Sequence, residues 1–216
     1  MKRDQTKVAD SAIGRSRHRL SYAECCSLVT AINASGPQPL RSSEFSKDVL
    51  GSIVETLLFS GNAQDQQQGL SALKTVRSKK ITRSILQRYH HLEIETKELC
   101  LELFHSLFDH RCKSLLRSQC TDLRLNRFAR CYAYETLGWL LAKSRSFGEL
   151  MDLIEQGLSQ EHHIQIAALC ISCYVPEKYF PLAILRRMST VNAIVAEVQT
   201  NSHGWLGERI LAHRPS

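Results

Sequence analysis

Along most of the chain, apolar or small residues recur at x, x+1, x+3, x+4 and x+7, one face of an α-helix, with polar residues between them. Gly69, Leu70, Ala72, Leu73 and Val76 follow this pattern, as do Cys100, Leu101, Leu103, Phe104 and Leu107. With threonine admitted, Ala133, Tyr134, Thr136, Leu137 and Leu140 follow it, and then Ala167, Ala168, Cys170, Ile171 and Tyr174. A weaker fifth copy is His203, Gly204, Leu206, Gly207 and Ile210; successive copies start 31, 33, 34 and 36 residues apart. A shorter amphipathic stretch precedes each copy, at 49–60, 80–90, 111–120, 147–159 and 180–199, and polar joints such as "GNAQDQ" and "QEHH" separate the members of a pair.

Two helices every 31–36 residues predict hairpins that each hide an apolar face against their neighbours, the logic of an α-solenoid. An earlier stretch, "SYAECCSLVTAINA" (21–34), fits the template through Cys25, Cys26, Leu28, Val29 and Ile32, and "SGPQPLRSS" then interrupts it. The expected organisation is therefore a flexible basic tail over 1–20, a cap helix and linker over 21–40, and a helical-repeat domain over 41–216.

The stretch "ARCYAYETLG" (129–138) resembles the second helix of a HEAT repeat: a hydrophobic residue, Arg, two variable residues, Ala, three variable residues and Leu-Gly. The match runs through Ala129, Arg130, Ala133, Leu137 and Gly138; "IQIAALCISC" follows it through Ile164, Gln165 and Ala168, with Gln165 at the arginine position. By periodicity the resemblance covers roughly 45–212. It implies an all-α fold, a short right-handed α-solenoid of about five HEAT-like helix pairs with an N-terminal cap helix. It also implies that Ala133 and Gly138 admit the helix paired with theirs while Leu137 fills the groove. Arg130 is expected to be a structural residue bonded to the joint.

Composition agrees with helix: ten Gly and five Pro in 216 residues leave few breakers. The chain lacks an apolar run near the roughly 20 residues that cross a bilayer, so no membrane association is expected. Six of the eight cysteines (Cys25, Cys26, Cys100, Cys131, Cys170 and Cys173) lie in apolar helical patterns, which points to small hydrophobes in a reducing, cytoplasmic compartment.

The net charge of +7 is unevenly spread. Residues 1–20 carry +4, 21–73 carry −3, 74–130 carry +7 and 131–216 carry −1. Within the basic middle, Lys74, Arg77, Lys79, Lys80, Arg83, Arg117, Arg124 and Arg127 are the candidate binding residues, a stripe if equivalent faces of stacked helix pairs align. Glu93, Glu95, Glu98 and Glu102 are close enough in sequence to neutralise part of it.

Other clusters carry less chemistry. The thiols of "CISC" lie mid-helix, about 10 Å of rise from His163, which fits core packing and neither zinc nor redox work. His105, Asp109, His110 and Cys112 read as caps and solvated residues at a helix end. The chain resembles the HEAT-like DNA glycosylases that remove alkylated bases in size, fold and basic balance, which directs attention to Trp139, Trp205 and Asp152. No aspartate matches a catalytic position, and both tryptophans read as core.

Neither catalytic residues nor metal or cofactor ligands emerge. The expected function is a non-catalytic adaptor or scaffold whose curved helical surface holds an acidic or amphipathic segment of another protein. The alternatives are nucleic-acid binding through the stripe and, behind it, the glycosylase-like activity. The oligomeric state is not fixed by the sequence.

Overall fold

A computed structural model of the chain describes residues 19–35 and 45–190, the side chains of Glu177, Arg187, Ser189 and Thr190 excepted. The fifth pattern copy, Trp205, the stretch 191–199 and most of the expected tail and linker lie outside the described residues. All regular structure among those described is helical, and no helix there is long and apolar enough to cross a membrane. The chain divides into two compact units, one ending at Cys112 and the other beginning at Lys113.

In the first unit, α1 (Tyr22–Ala34) begins with a capping box, in which the Ser21 amide donates to Glu24 Oε2 at 2.8 Å and the Glu24 amide donates to Ser21 Oγ. Its face of Cys25, Leu28, Val29 and Ile32 is buried as the pattern requires. α2 (Lys47–Ile53) runs into a π turn over Val54–Leu58, which keeps Val54, Leu57 and Leu58 inside. α3 (Ala63–Val76) starts at Asn62, whose Oδ1 accepts from the amides of Gln64 and Asp65 at 2.8 and 3.2 Å. The short α4 (Thr82–Arg88) lies between 3₁₀ turns, and α5 (Ile94–Leu107) completes the unit's main helices. α3 packs on α1, on the π turn and on α5. It meets the π turn at Gly69, where a Cβ would lie 3.0 Å from Leu57 Cβ.

α3 and α5 end alike, each with a non-glycine residue in the left-handed region: Arg77 at φ 50° and Phe108 at φ 46°. Each amide donates to the carbonyl four residues back, which closes the last turn. The later helices Arg127–Lys143 and His162–Ser172 end differently, at Ser144 with φ −82° and at Cys173 with φ −62°.

The second unit contains α6 (Lys113–Gln119), α7 (Arg127–Lys143), α8 (Phe147–Leu158), α9 (His162–Ser172) and α10 (Leu182–Thr190). α7 touches α6 and α8 but lies most extensively along α9. Ala133, Tyr134, Leu137 and Leu141 are fully buried on it. Gly138 does allow close approach, but its partner differs from the expected one. A Cβ there would stand 2.5 Å from Ile171 Cγ2 on α9, the corresponding helix of the next hairpin, and the glycine does not face its own paired helix α6.

The pattern misplaced a few residues. Tyr174 and Cys170 are exposed, not core: Tyr174 falls beyond the last residue of α9, and Cys170 lies on its outer face. Cys25 and Cys100 are buried, Cys26, Cys131 and Cys173 are half-buried, and Cys112 and Cys120 join the core; all eight thiols are free.

Gly138→Ala should destabilise the protein by about 1–3 kcal/mol in urea unfolding, because Ile171 is branched next to its backbone and cannot swing clear. Adding Ile171→Ala should recover part of that loss, and strictly additive effects would contradict the close approach. Arg77→Gly should raise stability by about 0.5–1 kcal/mol, since glycine adopts the left-handed cap without strain. A loss of stability would contradict that cap.

Candidate interaction surface

Most cations in the basic middle are consumed by neighbours within their own unit. In the first unit, Lys74 Nζ pairs with Glu102 across α3 and α5 at 2.5 Å. Arg88, on α4, pairs with Glu55 and lies 5.3 Å above the Phe59 ring. In the second, Lys113 and Arg117 share the single carboxylate of Glu149 and Arg124 holds Asp122 at 2.7 Å, whereas Arg127 enters no ion pair among the described residues and lies 4.9 Å over the Phe128 ring.

What remains is concentrated at the joint between α3 and α4. Arg77, Lys79, Lys80 and Arg83 are exposed, and no acid interrupts residues 77–83. Arg77 and Arg83 enter no ion pair among the described residues. Lys79 Nζ donates to the Phe108 carbonyl at 3.1 Å, and Lys80 Nζ donates to the Phe45 carbonyl at 2.7 Å. Those bonds hold the two ammonium groups in place. Of the four glutamates expected to neutralise the run, Glu102 is used by Lys74, while Glu93 and Glu95 are exposed at the start of α5.

A further cation, Arg111, stands against this joint. Arg111 Nη2 donates to the Lys79 carbonyl at 2.5 Å, so the joint after α5 comes against the joint after α3. Arg111 is held by Asp109, whose Oδ1 accepts from its backbone amide and Nε, both at 3.1 Å. The second unit repeats this device: Asp122 Oδ1 accepts from the amide of Arg124 at 3.1 Å and from its Nε at 2.9 Å. An Asp-x-Arg tripeptide at a joint was the available signal.

Asp109 is not the solvated residue the sequence suggested. Its side chain is 1% exposed. Burial opposes its ionisation, but the hydrogen bonds from Arg111 outweigh that and hold its carboxyl down at about 2. His105, half-buried beside the Phe108 ring, has its pKa lowered by burial and then by Lys74.

Arg130 behaves as the HEAT resemblance implies. It is 7% exposed and pairs with Glu161, the residue that precedes α9, across the joint after α8. The remaining candidates carry little chemistry. Trp139 is half-buried, not core, with Lys143 Nζ 4.7 Å over its ring, and Asp152 is exposed on α8. This arrangement does not supply an aromatic–carboxylate groove at these residues. Burial pushes the thiols of Cys112 and Cys120 up to about 12, which keeps them protonated and unreactive. Among the described residues no three His, Cys, Asp or Glu side chains gather as a metal site. A cleft of about 190 Å³ in the first unit sets Arg19 and Lys47 against Asp48 and Glu55, a balanced lining that favours neither anion nor cation.

Asp109→Asn should lower stability at neutral pH by about 1–3 kcal/mol, since it takes the charge from a buried, paired group. The Asp109 pairing contributes fully above pH about 4, the ordinary aspartate range, and is lost as pH falls through about 2. Urea unfolding at a series of pH values should therefore show a weaker acid-dependent loss in the variant, and an identical dependence would contradict the pairing. No protein-family model, no curated protein and no solved structure matches the chain.

Proposed function

We propose that the chain is a non-catalytic interaction module, a HEAT-like α-solenoid that holds an acidic or amphipathic segment of a partner protein. The observation that carries this reading is the exposed cation cluster at the α3–α4 joint, in a unit where Lys74, Arg88 and Arg111 are locked into ion pairs. Its support on the architectural side is the recurrence of hairpins whose second helices lie along one another, α3 on α5 and, in the other unit, α7 on α9, with the cap helix α1 on α3. Charge already committed to a neighbour has little left to offer a ligand; Arg77, Lys79 and Arg83 enter no ion pair among the described residues.

The same cations would attract phosphates, so the test separates the two ligands. Binding of the full chain to labelled poly-L-glutamate and to a random duplex DNA is compared by anisotropy at about 50 and 200 mM salt. Poly-L-glutamate should bind at low salt, and Arg77→Gln with Arg83→Gln should weaken it about five- to tenfold, since two accessible charges are removed. Arg117→Gln, whose charge is already used by Glu149, should change it less than about twofold. Preference for DNA by more than about tenfold, with a steep salt slope, would replace the adaptor reading with nucleic-acid binding. Absence of binding to either would end both.

A further inference from the structure

The second unit presents an apolar edge that the basic cluster does not explain. At the turn entering α7, Leu123 is 81% exposed while Leu125, two residues on, is buried. The turn is rigid: Arg124 grips Asp122 through its amide and guanidinium, and the Leu125 amide donates to the Asp122 carbonyl at 3.1 Å. Asn126 then caps α7 by accepting from the Ala129 amide at 2.9 Å, which sets Phe128 on the first turn, 57% exposed. Arg127 covers one side of that ring, and His163 of α9 approaches its edge with ring centroids 6.3 Å apart. Two large apolar side chains are thus exposed at the start of α7, at a cost in water that a partner would recover. The edge also has a sign. Asp122 is committed to Arg124 and Glu161 to Arg130, so the charge of Arg127 is left over beside the apolar pair.

We propose that this edge, Leu123 and Phe128 flanked by Arg127, is a docking surface for an acidic amphipathic segment of a partner protein. Apolar side chains of the segment cover Leu123 and Phe128, and a carboxylate of the segment meets Arg127. The proposal rests on the interaction-module reading and adds a second, mainly apolar contact to it.

The test uses the full chain and a fluorescein-labelled synthetic peptide of about 18 residues, five helical turns, with leucines on one face and glutamates elsewhere. Anisotropy is read at about 150 mM salt, where purely ionic attraction is screened. The wild type should bind, and Leu123→Ser or Phe128→Ala should weaken binding at least about fivefold. A peptide with lysine in place of each glutamate should not bind. Leu123 is exposed enough that its serine variant keeps the fold, which the thermal unfolding midpoint verifies. Failure of the peptide to bind, or equal binding by wild type and both variants, would overturn this proposal. Poly-L-glutamate binding at low salt, read in parallel, reports on the module reading separately: if it persists while the peptide result fails, only the second surface is lost.

Discussion

Helices approach one another closely only where no Cβ stands between them, and the contact of α7 with α9 depends on that rule at Gly138. Ile171 occupies the space a side chain would need there. A similar economy operates within the α8–α9 hairpin, where a Cβ at Gly157 would lie 2.6 Å from that of Ala168. Because these contacts are tight, small changes in volume cannot be absorbed by sliding. They fix where the joints between helices end up, and the joints carry the polar chemistry of each unit.

At the joints the chain spends most of its charge on itself. Asp109 and Asp122 each fold back on the arginine two residues later, Glu161 receives Arg130, and Glu149 serves both Lys113 and Arg117. Each such pair settles a loop and removes a charge from what a ligand can use. Glu102, Glu55 and Asp109 of the first unit are taken by Lys74, Arg88 and Arg111, and Arg77 and Arg83 enter no ion pair among the described residues. Lys79 and Lys80 are further held by backbone carbonyls, so the cluster is positioned before any partner arrives. A preordered charged site loses less entropy on binding than a flexible one.

The helices were legible because burial on one face repeats with the helical period, and burial is written in residue type. The pattern positions of α3, α5 and α7 are buried as expected, down to the fully buried Thr136, and so are Ala167, Ala168 and Ile171 of α9. Arg130 was legible as well, through its place in the HEAT-like pattern. Three-dimensional partnership was not. Nothing in the spacing says that Gly138 meets Ile171 and not its own hairpin mate, because that depends on which helices lie side by side. Ion pairing was partly hidden for the same reason: Lys74 and Glu102 are joined only by the packing of α3 on α5, whereas Asp109 and Arg111 are two residues apart and left a readable trace. Cys170 and Tyr174 were misjudged because the helix pattern was continued to an outer face and past the helix end.

The central claim is that accessible positive charge, left after internal pairing, lies at the α3–α4 joint. Amide-resolved NMR of the full chain titrated with poly-L-glutamate at about 50 mM salt tests it most directly. Perturbations should centre on residues 77–83 and Arg111 and fade as salt rises. Perturbations centred on Lys113 and Arg117, or spread evenly over the charged surface, would contradict it.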